Sequence, residues 1–210
     1  ALGLLRIIIE CQLPLDLREM AQQATDALGD KVTAKDVVNQ VFDFMMDRLR
    51  AYYKDVGVAP EVFEAVLAQL PAQPFDFDRR VRAVNHFLTL AEAESLAAAN
   101  KRISNILRQA DEKGIIVPDA VESARLAEPA EQALAEKIGA MEKTVTPLFD
   151  KRDYEPALAK LAGLRETVDT FFDDVMVMVD DDALRDNRLA LLAQLQNLFL
   201  RVADLSRLQG

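Results

Sequence analysis

A single cysteine, Cys11, and a single histidine, His86, stand in a chain of 210 residues, and this scarcity removes whole classes of chemistry. One thiol cannot build a disulfide framework or a cysteine metal cluster within one chain, and it suits a reducing, cytoplasmic setting. With no histidine near it in sequence, Cys11 is expected to be a buried thiol. His86 lies beside Phe87 in a helical pattern and is expected to be packed or exposed rather than catalytic. No GxxxxGK(S/T) phosphate loop, GxGxxG turn or HExxH motif occurs. Long apolar runs are missing too: the longest burst near the start, Leu2 to Ile9, is broken by Arg6, so neither a signal peptide nor a membrane span is expected. Positive charge is in deficit, with 25 Lys and Arg against 35 Asp and Glu. A net charge of −10 opposes broad binding to a phosphate backbone, because like charges repel. Any contact with RNA must be local. Strand-like alternation, low-complexity tracts and a fixed-period repeat are also absent, which leaves an all-α chain long enough for one large or two small cores.

What the chain does have is concentrated between Phe171 and Gln209. Leu161, Leu164, Val168, Phe171, Val175 and Met178 fall in alternating steps of three and four, predicting one long helix opened by Glu155-Pro156. Asp180, Asp181 and Asp182 interrupt it, and Asp181 or Asp182 is expected to cap a second helix. Leu184, Leu191, Leu195, Leu198, Val202 and Leu205 share one face of that helix. Arg188 lies on the same stripe, roughly 40° from Leu184, with Arg185 at its edge. An arginine on an apolar stripe needs a partner, and the aspartates of 173 to 182 are the nearest. Neither acidic cluster has the glycine and spaced oxygens of a calcium loop, so no metal is expected. Met176 and Met178 are expected as core fillers.

Upstream, a short helix, a break at Leu13-Pro14 and a helix from about Leu15 to Leu28 ended by Gly29 are expected. From Thr33 or Asp36 to Tyr53, Val38, Val41, Met45, Leu49 and Tyr52 predict an amphipathic helix. Glu61 to Leu70 forms a short helix stopped by Pro71, and Asp76 to Leu88 carries Arg79, Arg80 and Arg82, the densest positive cluster. A helix from Ala91 or Glu92 to Asp111 turns Leu96, Ala99, Ile103, Leu107 and Ala110 inward. Lys101, Asn105 and Arg108 gather on the opposite side, between roughly 120° and 180° from Leu96. Asp119 to Ala127 reads as a short helical or irregular linker, and a last upstream helix from Glu128-Pro129 is expected to stop near Val145, ahead of Pro147.

The tetrapeptide Asp182-Ala183-Leu184-Arg185, with Asn187-Arg188-Leu189 and Val202-Ala203-Asp204, resembles the C-terminal helices of the DALR anticodon-binding domain. The longer string from VMVMVDD to LFLRVADLSRLQ is similar to one family that carries it, the beta subunits of bacterial heterotetrameric glycyl-tRNA synthetases. FDFMMDRLRAYY and AAANKRISNILRQ agree with that family, and ALGLLRIIIE with LPLDL resembles the join between its HD-like region and its tail. The resemblance is close over 36 to 209 and looser over 1 to 35. It implies an all-α helical bundle of DALR type over 76–210, connecting helices over 36–75, and the end of an HD-like or linker region over 1–35, in an excised piece of a longer subunit. It also implies an α2β2 enzyme that joins glycine to its tRNA using ATP, in which the alpha subunit activates glycine. This piece would hold glycine tRNA, with no catalytic residue or cofactor of its own and no DNA or membrane partner. Lys101, Arg102, Asn105 and Arg108 are the first expected tRNA contacts, then Arg185 and Arg188, with Arg79 and Arg82 beside them. Lysine and arginine meet phosphates, while asparagine can bond an unstacked base edge. Two alternatives stay open: Arg188 serves an internal ion pair, and the region mainly docks onto the alpha subunit or braces the tail.

Overall fold

Leu5, Ile8 and Ile9 give the first helix, α1 (Leu2–Glu10), its buried side, and Asp16 starts the second by accepting from the backbone N–H groups of Arg18 and Glu19. That helix, α2 (Leu17–Leu28), ends at Gly29, whose φ of +52° suits a residue without a Cβ. The computed structural model describes residues 1–208 in this way, as ten α-helices and four 3-10 turns. Gln209, the last residue of the expected C-terminal helix, lies outside the described residues. After α2 come α3 (Val37–Asp55), α4 (Pro60–Leu67) and α5 (Pro74–Phe87). Proline occupies the first turn of both α4 and α5, where its missing N–H costs nothing. Then follow α6 (Ala93–Glu112), α7 (Pro129–Asp150), α8 (Tyr154–Leu161), α9 (Arg165–Asp174), α10 (Asp182–Leu200) and a closing 3-10 turn, Leu205–Leu208. A 3-10 turn at Ser123–Arg125 interrupts the irregular linker before α7.

At the centre is α10, packed on α6 and α7. Its six consecutive residues from Asn187 to Leu192 are all buried, so the helix is surrounded rather than amphipathic, and the single expected stripe describes only part of its contact. Asp181 is its N-cap, accepting from the Leu184 N–H at 3.0 Å. Around it, α5 packs chiefly on α8, and α9 fills the space between α6 and α7. The closing turn lies against α4 and α6, and the Asp204 N–H donates to the Ala65 carbonyl at 2.9 Å.

Four expectations are corrected. The long helix of 155 to 178 is broken by a 3-10 turn at Ala162–Leu164 and stops at Asp174. Gly163 weakens the helix there, while a step of three from Leu161 to Leu164 fits a 3-10 turn equally well. Beyond Asp174 the VMVMV string leaves the helix, extended at Val175 and bent at Val177 and Met178, with Val175 and Val177 buried and Met176 73% exposed; Met176 is therefore no core filler. Pro147 does not stop α7, which passes through it to Asp150. The proline and Lys143, whose carbonyl loses a donor, are both exposed, so water satisfies that carbonyl. Cys11 is exposed at the end of α1 rather than buried.

Two tyrosines anchor α3 and α8 to α5. Tyr53 donates to Asp78 at 2.8 Å and Tyr154 to Asp76 at 2.6 Å. Burial, then the Asp78 charge and hydrogen bond, push the Tyr53 phenol far up, while burial and the bond to Asp76 push Tyr154 up to about 12. Both phenols hold their protons more tightly folded than unfolded. Their stabilisation is therefore complete below the ordinary tyrosine value of about 10 and is lost as pH rises through the folded values. Denaturation between pH 9 and 12 should show stability falling, by about 2 kcal/mol at pH 12 from Tyr154 alone. Tyr154→Phe should flatten that part of the slope.

Candidate nucleic-acid interface

The helix α6 owes its inward side to Leu96, Ala99, Ile103 and Ala110, all buried as expected, with Leu107 partly so. Small residues at Ala97 and Ala99 let it approach its neighbours closely, and the buried Asn100 amide donates back to the Leu96 carbonyl at 2.9 Å. Ser95 donates to Asp169 of α9 at 2.6 Å. On the outer side, Lys101 is partly exposed, while Arg102, Asn105 and Arg108 are exposed. Arg108 pairs with Glu112 one turn on. The guanidinium of Arg102 lies 4.3 Å above the centre of the Phe172 ring on α9 and makes no ion pair among the described residues. Asn105 makes no side-chain hydrogen bond among them either.

The α5 arginines are differently placed. Arg79 pairs with Asp153 at 3.0 Å, and Arg82, 72% exposed, pairs with the buried Asp78 at 2.7 Å. Arg80 turns inward. Its Nε meets Asp76 at 2.7 Å, one terminal nitrogen donates to the carbonyls of Arg201 and Val202 at 2.8 and 2.9 Å, and the other donates to the Tyr154 hydroxyl at 2.9 Å. Arg79 and Arg80 thus lean on the start of α8 and the end of α10 and Arg82 stays on its own helix, whereas Arg102 leans on α9. Arg152, next to Asp153, has φ +58° and donates to Gln73 at 2.6 Å. Together with Arg79 and Arg82 it lines a shallow cleft of about 270 Å³ shared with Asp153 and Glu155, so the acids there nearly balance the bases.

In the DALR tetrapeptide, Arg185 pairs with Asp182 and Asp186 at 2.5 and 2.8 Å, and the hydrogen bond to Asp186 raises its pKa further. Arg188 is buried. Its partner is Glu131, at the start of α7, and not an aspartate of 173 to 182; a second nitrogen donates to the Met176 carbonyl at 2.7 Å. Asn187 bonds the linker, accepting from the Glu122 N–H at 2.7 Å and donating to its carbonyl at 3.2 Å. Arg185 thus braces the first turns of α10 from within, while Asn187 and Arg188 tie the helix to its surroundings.

A family model described as the DALR anticodon binding domain matches residues 96–205, from the first turn of α6 to the start of the closing turn. The chain belongs to the DALR anticodon-binding domain family. A second model, the glycyl-tRNA synthetase beta subunit, matches residues 1–68. Among curated relatives, the glycine-tRNA ligase beta subunit of Tolumonas auensis is 54% identical over 209 residues, covering 100% of this chain and 30% of that protein. The corresponding subunits of Mannheimia succiniciproducens and Aeromonas hydrophila are each 53% identical with the same coverage. The chain spans about 30% of the length of these relatives. Among the described residues, no helix is long and apolar enough to cross a membrane.

Within the DALR family match, sequence reasoning passed over Phe172, which falls outside the apolar stripe that carries Phe171. Its relation to Arg102 spans 70 positions and leaves no local signal. Glu131 was likewise missed, because it reads as an ordinary acidic first-turn residue of α7.

Proposed function

We propose that this chain is the tRNA-recognition region of a glycyl-tRNA synthetase beta subunit, and that the outer face of α6 meets the anticodon loop of glycine tRNA. The observation that carries this reading is the pairing pattern inside the DALR match. Arg185 and Arg188 are engaged by acids, while Arg102 and Asn105 face outward free of any acid. Lys101 and Arg108 flank them on the same helix, and Arg79 and Arg82 supply weaker, partly neutralised charge. Residues 76–210 would form the RNA-binding unit, 36–75 its connecting helices and 1–35 the edge of the preceding HD-like region. In the whole α2β2 enzyme, located in the cytoplasm, the alpha subunit would activate glycine with ATP; the present region would contribute grip and discrimination, with no bond made or broken here.

The test is binding of the full-length subunit to glycine tRNA and to the same tRNA with a changed anticodon, across a salt series. Asn105→Ala should weaken the cognate complex about tenfold and leave the non-cognate complex nearly unchanged, because discrimination resides in base-edge contacts. Each phosphate contact removed, as by Lys101→Ala or Arg108→Ala, should lower the salt slope by about 0.7. Indifference to the anticodon would overturn the reading.

A second reading is favoured by α1, whose outward side carries Leu4 and the 55%-exposed Ile7, with Val41 and Phe44 exposed on α3. Exposed apolar side chains on these two neighbouring helices suit a surface that assembles the enzyme. Capture of the alpha subunit by this region, lost on Ile7→Glu with tRNA binding unaltered, would support it.

A further inference from the structure

We propose that Phe172, Arg102 and Asn105 form a platform on which one unpaired base of the RNA loop stacks, an inference that rests on the tRNA-recognition reading above. The platform is built from the core outward. Phe171 is fully buried and holds Phe172 edge to face, with ring centres 5.5 Å apart and planes at 77°. The Ser95–Asp169 hydrogen bond ties α6 to α9 two turns before Arg102, on nearly the same side of α6. Arg165, 3.4 Å from the other Asp169 oxygen, steadies that carboxylate. The Phe172 ring then supports the Arg102 guanidinium at 4.3 Å.

An exposed arginine ordinarily samples many rotamers, and binding has to freeze them. Here the ring gives the cation a resting place in advance. Phe172 covers the guanidinium on one side, and Arg102 is otherwise exposed. Ala98, exposed one turn earlier on that side, places only a methyl group beside it. Asn105, one turn later, lies about 60° round the helix to the same side and about 4.5 Å further along the axis. A flat cation with an open face takes a flat partner. Nucleobases stack on arginine planes, while an amide donor and acceptor at the edge can read the base. A phosphate would instead seek the guanidinium edges and a second free cation, and Arg108 nearby is held by Glu112.

The experiment uses the full-length subunit and glycine tRNA carrying 2-aminopurine at successive positions of the anticodon loop. At one position binding should quench the fluorophore by stacking. Arg102→Lys keeps the charge and removes the plane, and Phe172→Leu removes the ring. Each should lower affinity about tenfold and abolish the quench, with the salt slope unchanged. Phe172→Tyr, which keeps the ring, should bind and quench as the parent does. Melting curves identify any variant that has lost its fold, and Arg102→Lys, being on the surface, keeps the test decisive. Undiminished quenching and affinity in Arg102→Lys and Phe172→Leu would overturn the platform while leaving RNA recognition standing. Anticodon-indifferent binding by the parent subunit would overturn the recognition reading itself, and the platform with it.

Discussion

Glu131→Ala is expected to destabilise the chain by about 3–5 kcal/mol, the loss typical when one partner of a buried ion pair is removed. The side chains of Arg188 and Glu131 are 6% and 1% exposed, so the remaining guanidinium would have neither counter-charge nor water. The same carboxylate closes the N-terminal capping box of α7, accepting from the Glu128 N–H at 2.9 Å, and that bond would go as well. For a chain of this size the melting temperature should fall by roughly 10 °C. A double replacement makes the argument sharper. Glu131→Gln keeps the capping acceptor and Arg188→Met keeps the volume without the charge, so together they should recover most of the loss, because a buried ion pair and an apolar pair of similar size are often nearly equivalent. A loss below about 1 kcal/mol for Glu131→Ala, read by urea denaturation, would mean that Arg188 reaches water.

Arg80→Ala should cost about 3 kcal/mol, although the position reads in sequence as one member of a solvated basic cluster. Its guanidinium serves Asp76, the carbonyls of Arg201 and Val202 and the Tyr154 hydroxyl together. Those two carbonyls lie just past the last turn of α10, where helix-end acceptors lack intrahelical donors and attract positive charge. Asp76 would retain Tyr154 and a distant Arg152 at 3.6 Å. Arg80→Lys, with the charge but not the planar fork, should restore less than half of the loss. Hydrogen exchange should separate this variant from a general destabiliser: protection of 201 to 208 should fall more than that of α7. Uniform loss would show that Arg80 does not act as a clasp.

The periodic parts of this fold were legible in the sequence. The inward side of α6, the cap at Asp181 and the ends of α2 follow from apolar spacing and short polar side chains. Less was legible where a helix is buried on every side: from Asn187 to Leu192 α10 has no polar face to betray its orientation. Arg188's position on an apolar stripe correctly called for a partner, yet the nearest acids in sequence were not the ones used, because Glu131 arrives from another helix. The VMVMV string is apolar throughout, so a search for helices absorbed it, although the chain leaves the helix at Asp174 and bends at Val177 and Met178. For the candidate interface, sequence spacing placed the outward residues of α6 on one side. It could not tell that Arg108 is held by Glu112 while Arg102 rests on a ring from α9, since both distinctions depend on side-chain neighbours.

The clasp made by Arg80 has a consequence for the time at which this region can close during synthesis. Its two carbonyl partners lie 121 and 122 positions downstream, and translation at about 5–20 residues per second takes roughly 6–24 s to cover that span. Until then the guanidinium has only Asp76 on its own helix and, once made, Tyr154, and the nitrogen that serves the two carbonyls is left to water. Residues 201 to 204 then work as a fastening closed late, and a ribosome stalled before them would leave a nascent chain with exposed apolar surface and no means of covering it.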